Sequence, residues 1–474
     1  MNHHMRRLSK IVLVLGVLGI ARVVCAAGDY AVVVSKATAD SADWKKVVDA
    51  LLEKHQARLI VYSGKVDEGI AQLKDPLPRF ACFVATPEEA GRDFVITIHR
   101  ETRKLDEDPY TDVVWGIVTG YSAGDALRIA AAKEPLVIRK GAAGTGIDLN
   151  LFDEGRWYSE GAAGEYWVKP KGEAPQKNKG PQDSTNALVS TFNDYQPDFW
   201  MTSGHATERD WQPGYSYKNG QFRCAEGKLF GLDLKGKKHP IESQNPKIFL
   251  GAGNCLIGHI PDRNAMALAY LGSGGVNQMT GYTVVTWYGA MGWGVKDFLF
   301  ELPGRHNHAE AFFFSNQAIV QKLETRFAGK PREVFNKWDM EKDRSIMGGA
   351  AQALGYKGDD KNLKDHLGLL WDVDTVAFYG DPAWDARLAP RSLPVETELT
   401  EKNGEWTFTV RASKDVKLGK PLAQLLPRRM KNPALLEGEA FAPVITDNFL
   451  MLPSNLEFTA GQTKTVRFRE QPAK

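Results

Sequence analysis

The sequence predicts an α/β protein: two successive units around mostly parallel strands, then a small all-β region. Three observations carry this. Apolar runs alternate with amphipathic helices up to about Arg139, the alternation resumes after residue 184, and from about Arg391 the hydrophobic period changes to two. At 474 residues the chain exceeds what one core usually holds, so two or three domains are expected.

In chain order, Tyr30–Ser35 reads as a short apolar strand. Asp43–Gln56 follows as a helix, with Trp44, Val47, Val48, Leu51 and Leu52 on one face. Arg58–Tyr62 is a second strand, Pro87–Asp93 a helix, Thr111–Val118 a β-rich stretch and Ala123–Ala132 a helix. Gly141–Gly146 lacks both the Lys-Ser/Thr ending and the dinucleotide glycine spacing of a phosphate loop, and is read as a flexible connection. Pro170–Gln182, rich in Pro, Gly, Lys and Gln, is read as an exposed loop. Beyond it come a helix over Ser184–Gln196, buried strands at Asp198–Ser203 and Lys247–Leu250, and helices at Asn264–Leu271, Val295–Leu302 and Ala309–Phe327. In the last region Trp406, Phe408 and Val410 alternate with polar neighbours just after the hairpin-type Asn403-Gly404, which predicts a β-sandwich. The expected divisions are 1–26, 27–150, 151–390 and 391–474.

Residues 1–26 have the layout of a secretory signal: Arg6 and Arg7, an apolar run from Ile11 to Ile20, and small residues near Ala26. The run is too short to span a bilayer, so an exported protein without a lasting membrane span is expected, whether periplasmic, extracellular or on the cell surface. Its removal takes the formal charge from +2 to about −2. A nearly neutral chain has no basic stripe for nucleic acid, and the lysines of 169–179 read as a solvated surface. Cleavage also leaves three cysteines, Cys82, Cys224 and Cys255, an odd number for an oxidising compartment. Cys82, in an apolar run, reads as buried and inert, and Cys224 as lying in a polar loop. His306 and His308 read as solvated loop histidines, with no metal partner nearby.

His205 and Cys255 are the candidate reacting pair. Each follows a predicted buried strand, at the sheet edge where α/β proteins present reactive groups. An imidazole beside a thiol takes its proton, holds the thiolate and later protonates a leaving amine. Gly251, Gly253 and Gly258 allow backbone amides close to a developing oxyanion. In caspase-type enzymes the histidine lies roughly 50 residues before the cysteine, the spacing found here.

The stretch His205-Ala206-Thr207-Glu208 with Trp211, the pair Asn254-Cys255, and Phe378-Tyr379-Gly380-Asp381-Pro382-Ala383 together resemble the gingipain family of caspase-like cysteine peptidases. The likeness covers about residues 28–474 in layout and three short segments in motif. It implies a caspase-like catalytic region of two α/β subdomains, an immunoglobulin-like C-terminal domain, a protein or peptide substrate and a His205–Cys255 dyad. It further implies backbone amides of Ala206 and Cys255 at the oxyanion, no required cofactor, and Ca²⁺ as an allowed ion. Ala206 stands where the family usually has glycine. The orienting acid is open among Glu208, Asp148, Asp153 and Glu154, with Glu208 nearest in sequence. Tyr282 and Trp287, in an aromatic stretch without an acid, are candidate walls of the substrate pocket, so the family's basic specificity is not carried over. The alternative is a catalytically inactive secreted binding or scaffold protein of the same fold. Neither reading fixes the oligomeric state.

Overall fold

The computed structural model describes residues 28–327, 346–356 and 363–471. The secretory signal read over 1–26 lies outside these residues. No described helix is long and apolar enough to cross a membrane.

One twelve-stranded sheet organises the α/β part. Its strands are β1 (Tyr30–Ser35), β2 (Arg58–Tyr62), β3 (Phe80–Val84), β4 (Val114–Val118), β5 (Lys140–Ala143), β6 (Glu154–Tyr158), β7 (Glu165–Lys169), β8 (Gln176–Lys179), β9 (Phe199–Thr202), β10 (Lys247–Gly251), β11 (Val276–Tyr282) and β12 (Val376–Tyr379). Across the sheet they run β2-β1-β3-β4-β12-β11-β10-β9-β5-β6-β7-β8. Five parallel strands, β2 to β12 in that order, form one block and β11 to β6 form another. The blocks meet at the antiparallel pair β11–β12, and β7 and β8 extend the second as an antiparallel hairpin. The strands β1, β3, β4, β9 and β10 read as nearly unbroken apolar runs because both their faces are covered, as parallel sheets require. Helices α1 (Ala42–His55), α2 (Arg92–Glu101), α3 (Ala123–Ala130), α4 (Ala290–Phe300), α5 (His308–Phe327) and α6 (Leu363–Asp372) contribute to the covering layers, and a single apolar cluster runs through the sheet and these helices.

Several sequence readings are corrected. Pro87–Gly91 is a turn and the helix begins at Arg92. The Glu89 carboxylate fixes that turn, accepting from Ser35 Oγ, Thr38 Oγ1 and the Thr86 N–H. Gly141–Gly146 is no flexible connection, because Gly141 to Ala143 belong to β5, in the sheet beside β9. A Cβ on Gly141 would stand 2.7 Å from the Phe152 ring, so glycine there serves packing. Within Pro170–Gln182, residues 176–179 form the outermost strand β8. Cys224 lies buried in the strand Gln221–Ala225 of a four-stranded antiparallel sheet, with Asp210–Trp211, Lys228–Leu232 and Lys238–Ile241. His306 and His308 are buried, not solvated. Burial pushes His308 down to about 3, and its ring packs on Phe378.

The C-terminal region holds a four-stranded sheet (Val395–Lys402, Glu405–Ala412, Pro433–Glu437, Thr463–Glu470) and a three-stranded one (Leu422–Leu425, Val444–Ile445, Phe449–Leu452). Asn403 and Gly404 both have positive φ, 56° and 78°, the geometry of a tight hairpin turn between the first two strands. The period-two pattern is used on both sides of Phe449–Leu452. Leu450 and Leu452 join Trp406, Phe408 and Val410 in the local core, while Phe449 and Met451 pack into the α/β core. Asp381, just after β12, ties the early chain to the end of that strand: buried, it accepts from Tyr30 Oη and from Lys54 Nζ, both at 2.8 Å, and meets His55 Nε2 at 2.7 Å.

Candidate active site

β9 and β10 lie side by side and parallel, with Thr202 opposite Gly251. His205 follows the end of β9 by three positions and Cys255 follows β10 by four, so both loops leave one sheet edge. The link between the loops is Asn254. Its buried side chain accepts from Thr202 Oγ1 at 2.5 Å and donates Nδ2–H to the Gly204 carbonyl at 3.1 Å. The Ala252 N–H adds a bond to the Thr202 carbonyl at 3.0 Å. The residues flanking His205 and Cys255 are thus bonded to one another.

Cys255 sits on a constrained turn. Leu256, next in the chain, has φ 57°, a left-handed conformation that costs a non-glycine residue ~1–3 kcal/mol and persists only where neighbours enforce it. They do: Leu256 N–H donates to the Val284 carbonyl at 3.0 Å, and Thr286 Oγ1 donates to the Asn254 carbonyl at 3.0 Å. Beneath, a Cβ on Gly253 would lie 3.3 Å from Trp293 Nε1, and one on Gly292 only 2.2 Å from the Ala252 carbonyl oxygen. Glycine at 292 therefore lets the first turn of α4 press against the cysteine loop. That turn is capped by Asp372, whose carboxylate accepts from Met291 N–H at 3.0 Å and Tyr282 Oη at 3.1 Å. Burial raises Asp372 to about 6 despite these donors. Trp371 Nε1 donates to the Val285 carbonyl, so the end of α6 braces the loop that braces Cys255.

His205 is exposed, and its ring stacks on Tyr215 with centroids 5.0 Å apart and planes 20° apart. Its carbonyl accepts from Gln212 N–H, Ala206 pairs with Trp211 across a two-residue bridge, and Trp211 Nε1 donates to the Ser203 carbonyl. The loop is a compact hairpin, which fixes the backbone that carries the imidazole.

The acid gathered at this edge is Glu160, two residues past β6. One carboxylate oxygen accepts from Thr145 Oγ1 at 2.8 Å and the other from Ser203 Oγ at 2.6 Å, while its carbonyl accepts from Tyr215 N–H at 2.7 Å. It therefore holds both the residue stacked on His205 and a residue two positions before it. Glu208 instead offers its carbonyl to Met266 N–H, with its carboxylate 3.9 Å from Arg209 Nε. Asp148 accepts from Asn150, Asp153 pairs with Arg139 and Arg391, and Glu154 lies within β6. Of the pocket candidates, Tyr282 is fully buried with its hydroxyl on Asp372, which makes it support for the loop, while Trp287 is half-buried.

All three described cysteines are free thiols. Burial pushes Cys224 up to about 11 and Cys82 higher still, whereas Cys255 is partly exposed. Exposure thus separates one thiol chemically from the other two.

No family model and no curated protein matches this sequence. A solved structure described as the complex of Porphyromonas gingivalis RgpB pro- and mature domains superposes with a TM-score of 0.41 at 11% identity, over 94% of this chain and 100% of that one. A likeness of that degree does not establish a shared fold, and the chemistry rests on the residues themselves.

Glu160 and Tyr215 escaped the sequence reading. A signal for Glu160 was present, since it follows the apolar Trp157-Tyr158 of a strand as His205 follows β9. Tyr215 carried none, because stacking across a loop has no sequence period.

Proposed function

We propose that this protein is an exported cysteine peptidase with a caspase-like catalytic region and an immunoglobulin-like C-terminal domain, cleaving peptide bonds through Cys255 and His205. The observation that supports this best is the shared edge of β9 and β10, where Asn254 ties the two loops and a left-handed Leu256 holds the cysteine turn. Strain maintained by surrounding bonds is characteristic of functional turns.

His205 takes the Cys255 proton, the thiolate attacks the scissile carbonyl carbon, and the oxyanion is met by backbone N–H groups of Cys255 and Ala206. The imidazolium returns its proton to the departing amine, leaving a thioester. Water, deprotonated by His205, then releases the acid and regenerates the thiol. Glu160, through Ser203 and Tyr215, positions the imidazole in place of Glu208.

Incubating the protein lacking residues 1–26 with a peptide library, and identifying products by mass, tests the reading. Cleavage that disappears in Cys255→Ala and in His205→Ala is expected. No cleavage, or cleavage retained in Cys255→Ala, would overturn it.

A further inference from the structure

Val285 stands beside the candidate nucleophile with its side chain uncovered. Two bonds place it there: Leu256 N–H donates to the Val284 carbonyl and Thr286 Oγ1 donates to the Asn254 carbonyl, both at 3.0 Å. Residues 254–256 and 284–286 therefore run alongside each other, with Val285 across from Cys255. Val284 is fully buried, whereas Val285 is 42% exposed. Trp371 Nε1 holds the Val285 carbonyl at 3.0 Å, and a β-branched side chain has little rotamer freedom of its own. The two methyl groups are thus fixed in place before anything binds.

A single exposed valine is ordinary on a protein surface, but here the exposure gathers at the site. The large apolar side chains exposed among the described residues are Leu59 and Val61 on the edge strand β2, Leu234 at a hairpin turn, Tyr215 and Val285. The last two flank the reacting pair, Tyr215 stacked on His205 and Val285 across from Cys255. Trp287, two residues on, and Trp293, close to Gly253, are half-buried and add apolar surface on the cysteine side. The charged groups of these elements are already engaged: Glu160 with Thr145 and Ser203, Lys296 with Asp297, Arg209 with Asp262. A charged substrate side chain set against Val285 would give up water without gaining a partner, while an apolar one gains by leaving water.

Granted the peptidase reading, we propose that Val285 selects substrates with an apolar side chain on the residue whose carbonyl Cys255 attacks, in place of the basic side chain that the gingipain family takes. That side chain stands two bonds from the carbon bonded to sulfur, nearer than any other in the substrate, so it is the one a residue across from Cys255 meets. One methylene more or less at such a contact is worth about 10–200-fold in rate.

Four acetyl-dialanyl chloromethyl ketones, ending in leucine, glycine, lysine or aspartate, test this. The Cys255 thiolate displaces chloride to form a thioether, and the last residue of the probe occupies the position in question. Rates of Cys255 modification, located by mass and divided by the iodoacetamide rate of the same protein, are compared in the wild type, Val285→Thr, Val285→Asp and Val285→Lys. In the wild type the leucine probe should be at least tenfold faster than the other three. Val285→Thr should narrow that lead severalfold, Val285→Asp should move the preference to the lysine probe, and Val285→Lys should move it to the aspartate probe. Equal rates for leucine and glycine, a charged probe fastest in the wild type, or a leucine lead unchanged in every variant would overturn the proposal. The peptidase reading would survive those results, because Cys255 still reacts. Cys255 left unmodified by iodoacetamide and by every probe would overturn both.

Discussion

Asn254→Ala removes the side chain that joins the two reactive loops. Thr202, fully buried, would be left with a hydroxyl that has lost its acceptor, and the Gly204 carbonyl would lose a donor. A buried hydroxyl without a partner costs about 1–3 kcal/mol, and a partly solvated carbonyl about half that, which gives a total of about 2–4 kcal/mol. Part of the loss appears as global destabilisation and part as separation of the loops, and a displacement of about 1 Å at a reacting group costs on the order of a hundredfold in rate. The assay pairs urea unfolding with the rate of iodoacetamide labelling at Cys255 at pH 7. The variant should lose stability in that range, and its labelling should be on the order of a hundredfold slower than the wild type's. Wild-type stability together with a wild-type labelling rate would refute the role given to Asn254.

Tyr215→Ala should slow labelling of Cys255 at neutral pH severalfold while Tyr215→Phe does not, because the stack on His205 needs a ring and not its hydroxyl. Asp381→Asn should cost about 3–5 kcal/mol at pH 7, measured by urea unfolding, since it leaves Lys54 and His55 without their buried counter-charge. Burial alone would raise Asp381, but Lys54 and His55 override it and hold the carboxyl well below its usual range. Its contribution is therefore full above about pH 4 and fades as the pH falls from there toward the folded value, so the two proteins should converge in acid. Asp372 behaves oppositely. Between its unfolded value near 3.8 and its folded value of about 6 the native state holds the extra proton, so wild-type stability falls, by up to about 3 kcal/mol, as the pH rises through that window. Asp372→Asn should gain on the wild type across that interval, and a constant difference in Tm from pH 4 to 7 would count against it.

Much of the α/β alternation was legible because strands buried on both faces leave unbroken apolar runs, as in Tyr30-Ala-Val-Val-Val34 and Phe199-Trp-Met201. β8 was illegible for the converse reason: Gln176-Lys-Asn-Lys179 forms an outer edge with neither face buried, so nothing in it alternates. β5 was hidden by its small residues: Phe152 lies over Gly141 and, one residue past the strand, Trp211 lies over Gly144. The sheet around Cys224 was missed although Phe222 and Cys224 alternate with Arg223 and Ala225, because each strand is too short to outweigh its polar flanks. At the site, the strand-then-loop placement of His205 and Cys255 was readable. That Glu160 bonds to Ser203 and Tyr215 beside His205 was not, because nearness in sequence is a poor guide where a parallel sheet brings a distant loop alongside.

The central claim is that Cys255 is a nucleophile served by His205. Labelling the native protein with one equivalent of iodoacetamide at pH 6–7, and locating the modified cysteine by mass, tests it most directly. Modification is expected at Cys255 alone, at least tenfold slower in His205→Ala, with Cys82 and Cys224 protected by burial. Equal labelling of the wild type and His205→Ala, or modification at Cys224 in preference to Cys255, would contradict it.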